Sequence, residues 1–281
     1  MHDWPNFHLD VNGTTLRVIR SHPATGDRPQ VVLVHGFTDD AMYWTRTAEI
    51  LAQTYEVIAY DARGHGESAR RNGTFDDVVR AADLLAVIDA LKLDRPLAIG
   101  HSMGGSTIAN AAALRPTVFR AIALEDPAWW ETADIPAEQR AAAEAGMRTR
   151  TSEWRRWLLE VQSADDAQSL TMVHEGNPIW SHDDAVLSRN ARQRFDPAMF
   201  EDYPPAAAPW RSAVAAWRCP ALLLLGSERN AIITPQRAEE SRSINASVRW
   251  TQITGAGHAI RYDRFDDYIG AVLHFLAVNA G

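Results

Sequence analysis

Gly100-His101-Ser102-Met103-Gly104 closes a short apolar run and opens a helical one, the context in which G-x-S-x-G presents a nucleophilic serine. Glycines on either side permit a sharp turn that a Cβ would obstruct. The turn holds the Ser102 hydroxyl above a strand end, with a helix N-terminus beneath it. Acyl transfer there needs hydrogen-bond donors for an oxyanion. The backbone N–H of Met103 supplies one, and Gly36 in His35-Gly36-Phe37 lets the N–H of Phe37 point at the same spot. His35 itself reads as a residue that orders its loop by hydrogen bonding. The base must come from another loop, and Gly255-Ala256-Gly257-His258 carries a histidine on a glycine-rich segment after the last apolar run. The single cysteine, Cys219, precedes Pro220 at the mouth of an apolar run and reads as a small core residue.

These groups meet only if the elements between them place them at one edge. Val31-Val32-Leu33-Val34, Val57-Ile58-Ala59-Tyr60, Leu97-Ala98-Ile99-Gly100, Ala121-Ile122-Ala123-Leu124 and residues 221–225 are continuous apolar runs that alternate with helical patterns. Such runs predict a parallel sheet covered on both faces. Residues 7–11 and 15–19, joined through Asn12-Gly13, predict a hairpin at its antiparallel edge, and 248–253 a last strand. Helices are expected over 41–53, 75–91, 103–115 and 262–276. From Pro127 to Trp217 the alternation stops, and helical patterns appear near 137–147, 153–162 and 183–195 with no strand among them. The expected fold is therefore α/β: a mostly parallel eight-stranded sheet with helices on both faces and an inserted helical cap. Residues 1–126 and 218–281 would form the core and 127–217 the cap. Seven of the ten tryptophans fall in that insertion, where they either line an apolar pocket or fill a small helical core. Trp129 and Trp130 follow the strand end directly and are expected beside the site as substrate-binding residues.

Of the 281 residues 46% are apolar and 23% charged, enough to bury a substantial core. The net charge is −8 and no long Lys/Arg run exists, so nucleic acid is not an expected partner. No apolar stretch is long enough to span a membrane, and Met1-His2-Asp3-Trp4-Pro5 lacks the pattern of a secretory signal; a cytoplasmic protein is expected. The ten histidines do not recur at ligand spacing, so neither a metal nor another cofactor is expected.

His35-Gly36-Phe37, Asp61-Ala62-Arg63-Gly64-His65-Gly66-Glu67-Ser68, Gly100 to Gly105 and Gly257-His258, in that order, resemble the α/β-hydrolase superfamily over essentially the whole chain. The resemblance implies Ser102 as nucleophile, His258 as base, and the N–H groups of Phe37 and Met103 as oxyanion hole. It makes 61–68 a structural loop, with no catalytic part for His65. The superfamily most often carries its acid after the strand that here is 221–225, as an aspartate three residues past a glycine. Gly226-Ser227-Glu228-Arg229-Asn230 has Arg229 there, and an arginine cannot accept the imidazole N–H. The acid is then Glu228 in a shifted loop, or a carboxylate of Glu125-Asp126 at the preceding strand end. Haloalkane dehalogenases and some mycotoxin lactonases carry theirs at that end. Asp126 is preferred, with Glu125 and Glu228 as alternatives; if Glu228 is the acid, Asp126 only bonds the turn at Pro127.

Dehalogenases and epoxide hydrolases of the superfamily use an aspartate nucleophile, so Ser102 argues against both chemistries. The expected activity is hydrolysis of a small apolar or aromatic ester or lactone. Carbon–carbon bond hydrolases and hydroxynitrile lyases share the Ser/His arrangement and remain alternatives, as does a small-molecule receptor with vestigial hydrolysis.

Overall fold

The computed structural model describes residues 1–22, 27–129, 135–203 and 209–280. Eight strands form one sheet: β1 (Asn6–Val11), β2 (Thr14–Arg20), β3 (Gln30–Val34), β4 (Glu56–Tyr60), β5 (Leu97–His101), β6 (Ile122–Glu125), β7 (Ala221–Gly226) and β8 (Val248–Ile253). Their order is β1-β2-β4-β3-β5-β6-β7-β8. The β1–β2 and β2–β4 pairs are antiparallel and all others parallel, as the apolar runs predict. Asn12 and Gly13, both at positive φ, close the β1–β2 hairpin.

The helices are α1 (Thr45–Leu51, after a 3-10 turn over Ala41–Trp44), α2 (Asp77–Ala90), α3 (Met103–Leu114), α4 (Ala137–Ser163), α5 (Asp166–Gly176), α6 (His182–Arg194), α7 (Trp210–Ala216), α8 (Pro235–Ile244), α9 (Ile260–Asp263) and α10 (Phe265–Asn279). The parallel strands are buried on both faces because successive side chains point oppositely. Val32 and Val34 of β3 and Leu223 and Leu225 of β7 join a core with Leu84, Val87 and Ile88 of α2 and Ile108 of α3. Val31, Leu33, Leu222 and Leu224 join the other core, with Leu51 of α1 and Tyr268, Val272 and Leu276 of α10. Each fully buried Leu or Ile stabilises the fold by about 1.5–3 kcal/mol relative to exposure.

Between β6 and β7 the described residues hold helices and turns and no strand, but the elements differ from the expected ones. The separate patterns at 137–147 and 153–162 are one 27-residue helix, α4, which runs through Gly146. Its first half buries no side chain, so the apolar period there is weak, while Leu158 and Val161 anchor the second half. α5, unanticipated, starts at Asp165, whose carboxylate accepts the N–H of Gln168. α7 belongs to the layer beside the sheet: Trp217 at its end donates Nε1–H to the carbonyl of Ala109 in α3 at 3.0 Å. Asn245, after α8, donates to the Val214 carbonyl at 2.8 Å. The segment from α5 to Asp202 is tied to loops at the carboxyl ends of the strands through Arg194 of α6 with Asp40, Asp202 with Arg71, and the Trp180 indole N–H, between α5 and α6, with Asp263. No helix among the described residues is long and apolar enough to cross a membrane.

Candidate active site

The carboxyl ends of β3, β5 and β6 and the loops after β7 and β8 converge on one cavity of about 390 Å³. Ser102 sits between β5 and α3 at φ 52°, ψ −115°, a backbone conformation that costs a non-glycine residue roughly 1–3 kcal/mol. The close packing around this turn requires its glycines. A Cβ on Gly100 would lie 2.6 Å from the Gly104 backbone, and one on Gly104 would overlap the Val34 carbonyl of β3. The strain is held by hydrogen bonds from the Ser102 N–H to the Glu125 carbonyl, 2.9 Å, and from the Ala128 N–H to the Ser102 carbonyl, 3.0 Å.

His258, in the loop between β8 and α9, also lines the cavity, and its Nδ1 lies 2.6 Å from Oδ2 of Asp126. Asp126 follows β6, is fully buried and adopts φ 41°, so a second strained residue stands at the site. Its carboxylate also accepts the N–H groups of Ile232 and Ile233, each at 2.8 Å. The carboxylate thus fixes both the imidazole and the loop after β7. With Nδ1–H donated to Asp126, Nε2 is the nitrogen left to exchange a proton in the cavity.

The other candidate acids lie elsewhere. Glu125 points to the opposite side and accepts from the backbone N–H (2.9 Å) and guanidinium (2.7 Å) of Arg261. Glu228 is exposed and accepts from the Ser227 hydroxyl at 3.1 Å. Phe37 and Met103 both line the cavity. Among the described residues neither backbone N–H is recorded in a hydrogen bond.

The tryptophans divide differently from expectation. Trp129 does not line the cavity: it is buried, stacked on Trp210 at 5.2 Å with an interplanar angle of 7°, and tilted against Trp217. Its ring turns towards α7, which belongs to the sheet's helical layer, and so it fills core. Trp130 lies outside the described residues. Trp154 and Trp180, with Tyr43 and Tyr203, line the cavity instead. Trp129→Ala should therefore lower stability by about 3–5 kcal/mol in denaturant melts and leave relative rates across an ester chain-length series unchanged. Trp154→Ala should shift that series, and the opposite pattern would return Trp129 to the site.

Sequence reasoning passed over a buried network under the loops that carry Ser102 and His258. His101, the variable residue before the serine, directs Nε2 to the His258 carbonyl at 3.0 Å and Nδ1 to Asp39 at 3.3 Å. Asp39 also accepts the Gly36 N–H at 3.2 Å and lies 3.6 Å from Arg261. His101 and Arg261 together hold its carboxyl below the usual range, against its burial. A Cβ on Gly36 would come within 2.6 Å of Asp39 and 2.8 Å of His101, so that glycine serves the network as well as the turn. Nothing local in the sequence marks Asp39 or Arg261, since their partners lie on other loops.

His35 orders its loop as expected: Nε2 accepts the Ala62 N–H at 2.9 Å and Nδ1 lies 2.7 Å from the Gly36 carbonyl. Burial lowers its pKa from 6.5 to about 4. Below pH 6.5 the unfolded chain binds a proton there that the folded chain refuses, so this stability is complete above pH 6.5 and lost as pH falls towards 4. Urea melts between pH 7.5 and 4 should give a shallower fall in His35→Gln than in wild type, by up to about 1.4 kcal/mol per pH unit. Parallel curves would mean that His35 titrates alike in both states. Among the described residues no group of three or more His, Cys, Asp or Glu side chains could hold a metal ion.

A family model described as "Alpha/beta hydrolase family" matches residues 31–271. N-formylmaleamate deformylase of Pseudomonas putida is 26% identical over 251 residues, 88% of each chain. An epoxide hydrolase of Caballeronia sordidicola is 32% identical over 119 residues, 41% of this chain and 35% of that protein. Thus the chain spans about a third of that epoxide hydrolase. Among solved structures, the N-formylmaleamic acid deformylase of Pseudomonas putida superposes with a TM-score of 0.76 at 20% identity, covering 95% of this chain and all of that one. The enol-lactonase of Burkholderia xenovorans superposes with 0.74 at 24% identity, covering 96% and 100%.

Proposed function

Because the chain belongs to the alpha/beta hydrolase family, we propose that it hydrolyses small carboxylic esters or lactones through an acyl-enzyme on Ser102. The observation that carries this reading is the 2.6 Å contact between His258 Nδ1 and Asp126, with Ser102 and His258 on the wall of one cavity. His258 Nε2 takes the Ser102 proton as Oγ attacks the carbonyl carbon. The oxyanion of the tetrahedral intermediate is bound by the N–H groups of Phe37 and Met103. Collapse breaks the acyl–oxygen bond, and His258 returns the proton to the leaving alkoxide. Water, deprotonated by His258, then attacks the acyl-enzyme and releases acid and Ser102. Asp126 fixes the tautomer and stabilises the imidazolium. Helices α4 to α6 act as a cap that excludes water and shapes the acyl subsite.

Amide hydrolysis at the same triad is the second reading, favoured by the match to N-formylmaleamate deformylase along 88% of both chains. Epoxide opening fits less well, because Ser102 stands where that chemistry places an aspartate. The proposal is tested by fluorophosphonate labelling followed by peptide mapping, together with turnover of p-nitrophenyl acetate and of an N-formyl amide. Modification of Ser102 with ester turnover is expected. An unlabelled protein that binds but does not turn over esters would mark a receptor rather than an enzyme.

A further inference from the structure

α6 carries three arginines near its C-terminal end, and their surroundings differ. Arg189 pairs with Asp166 at 2.7 Å, and Arg194 pairs with the buried Asp40. Arg192, between them, turns inward and lines the catalytic cavity. It is only 9% exposed, yet among the described residues it pairs with no carboxylate. Its Nη1 donates to the carbonyl and hydroxyl oxygens of Ser188, both neutral, while its Nε has no partner. The Trp157 ring, 5.6 Å from the guanidinium carbon, adds a weak cation–π contact.

Burying a guanidinium without a counter-ion costs several kcal/mol, and neutral acceptors return only part of that. The cavity's own acids supply that charge only in part: Asp39 attracts Arg192 electrostatically but forms no ion pair with it among the described residues. Asp39 shares its carboxylate among Gly36, His101 and Arg261, and Asp263 accepts from the Trp180 indole N–H and the Gly257 N–H. A planar, buried guanidinium with an unpartnered Nε on the cavity wall matches a carboxylate in two-point geometry.

We infer that Arg192 is an anion subsite of the catalytic cavity, and that the substrate carries a carboxylate remote from its scissile acyl bond. This rests on the hydrolase reading above and narrows its substrate class from apolar esters to monoanionic esters, lactones or amides. The carboxylate seats on Arg192 in the helical insertion while the scissile carbonyl lies over Ser102, so one ion pair orients the acyl chain across the cavity.

The test compares p-nitrophenyl hydrogen adipate with p-nitrophenyl hexanoate, which differ in the terminal carboxylate, and measures adipate binding by calorimetry. Wild type should favour the adipate ester at least tenfold in kcat/KM. That ratio should fall to near one in Arg192→Gln and partway in Arg192→Lys, and adipate affinity should weaken at least tenfold in Arg192→Gln. Melting temperatures identify variants that fail to fold, and the wild-type ratio stands without them. Equal rates on the two esters in wild type, or adipate affinity indifferent to Arg192, would overturn the subsite. If neither ester is turned over, the ester reading fails by itself, and adipate binding still decides the role of Arg192.

Discussion

Ser102→Ala should lower kcat/KM for p-nitrophenyl acetate by at least about 10⁴ while the protein remains folded. Only the oxyanion donors and the binding wall would remain, and removal of a nucleophile leaves those contributions intact. Folding should be preserved because, among the described residues, the turn is held by the backbone and not by a hydrogen bond of the Ser102 side chain. The turn is held by backbone bonds to Glu125 and Ala128 and by the close approach of Gly100 and Gly104. Alanine at φ 52° meets the same strain as serine, so the melting temperature should move little. Residual activity above a few per cent, with fluorophosphonate label found elsewhere, would remove Ser102 from the mechanism.

The sheet was legible because parallel strands buried on both faces leave continuous apolar runs, and each run from Val31 to Leu225 became a strand within about two residues of its expected ends. Ser102 and His258 were legible for a local reason: glycines flank the first, and a glycine-rich loop carries the second. The choice among Glu125, Asp126 and Glu228 depended on which way each side chain turns after its strand. Adjacent residues at a strand end point to opposite faces, and a sequence does not say which face holds His258. Trp129 shows that proximity in sequence to the site is not proximity in space. Its ring turns down onto Trp210, whereas Trp154 and Trp180, far along the chain, reach the cavity from the helical insertion. Arg192 had no sequence signal at all, since α6 carries basic residues both inward and outward and only packing separates them.

Asp126→Asn should lower kcat/KM by up to about 10⁴, whereas Glu228→Gln should leave it within a factor of about two. An asparagine keeps the size of the side chain, but its neutral amide cannot stabilise the imidazolium, and an NH₂ facing Nδ1 selects the wrong tautomer. The same carboxylate also accepts from Ile232 and Ile233, so the amide must place its single oxygen either towards that loop or towards His258. Part of the loss could then be structural, and melting temperature separates the two. A catalytic loss with a shift of a few degrees assigns the effect to the imidazole, while early unfolding assigns it to the loop. Glu125→Gln supplies the contrast. It strands the buried Arg261 without its 2.7 Å partner, which costs about 3–5 kcal/mol of stability, so its activity should fall through unfolding and recover on cooling. If Glu228→Gln collapses at a normal melting temperature while Asp126→Asn stays near wild type, the acid is Glu228 and the loop after β7 must shift to bring it to His258.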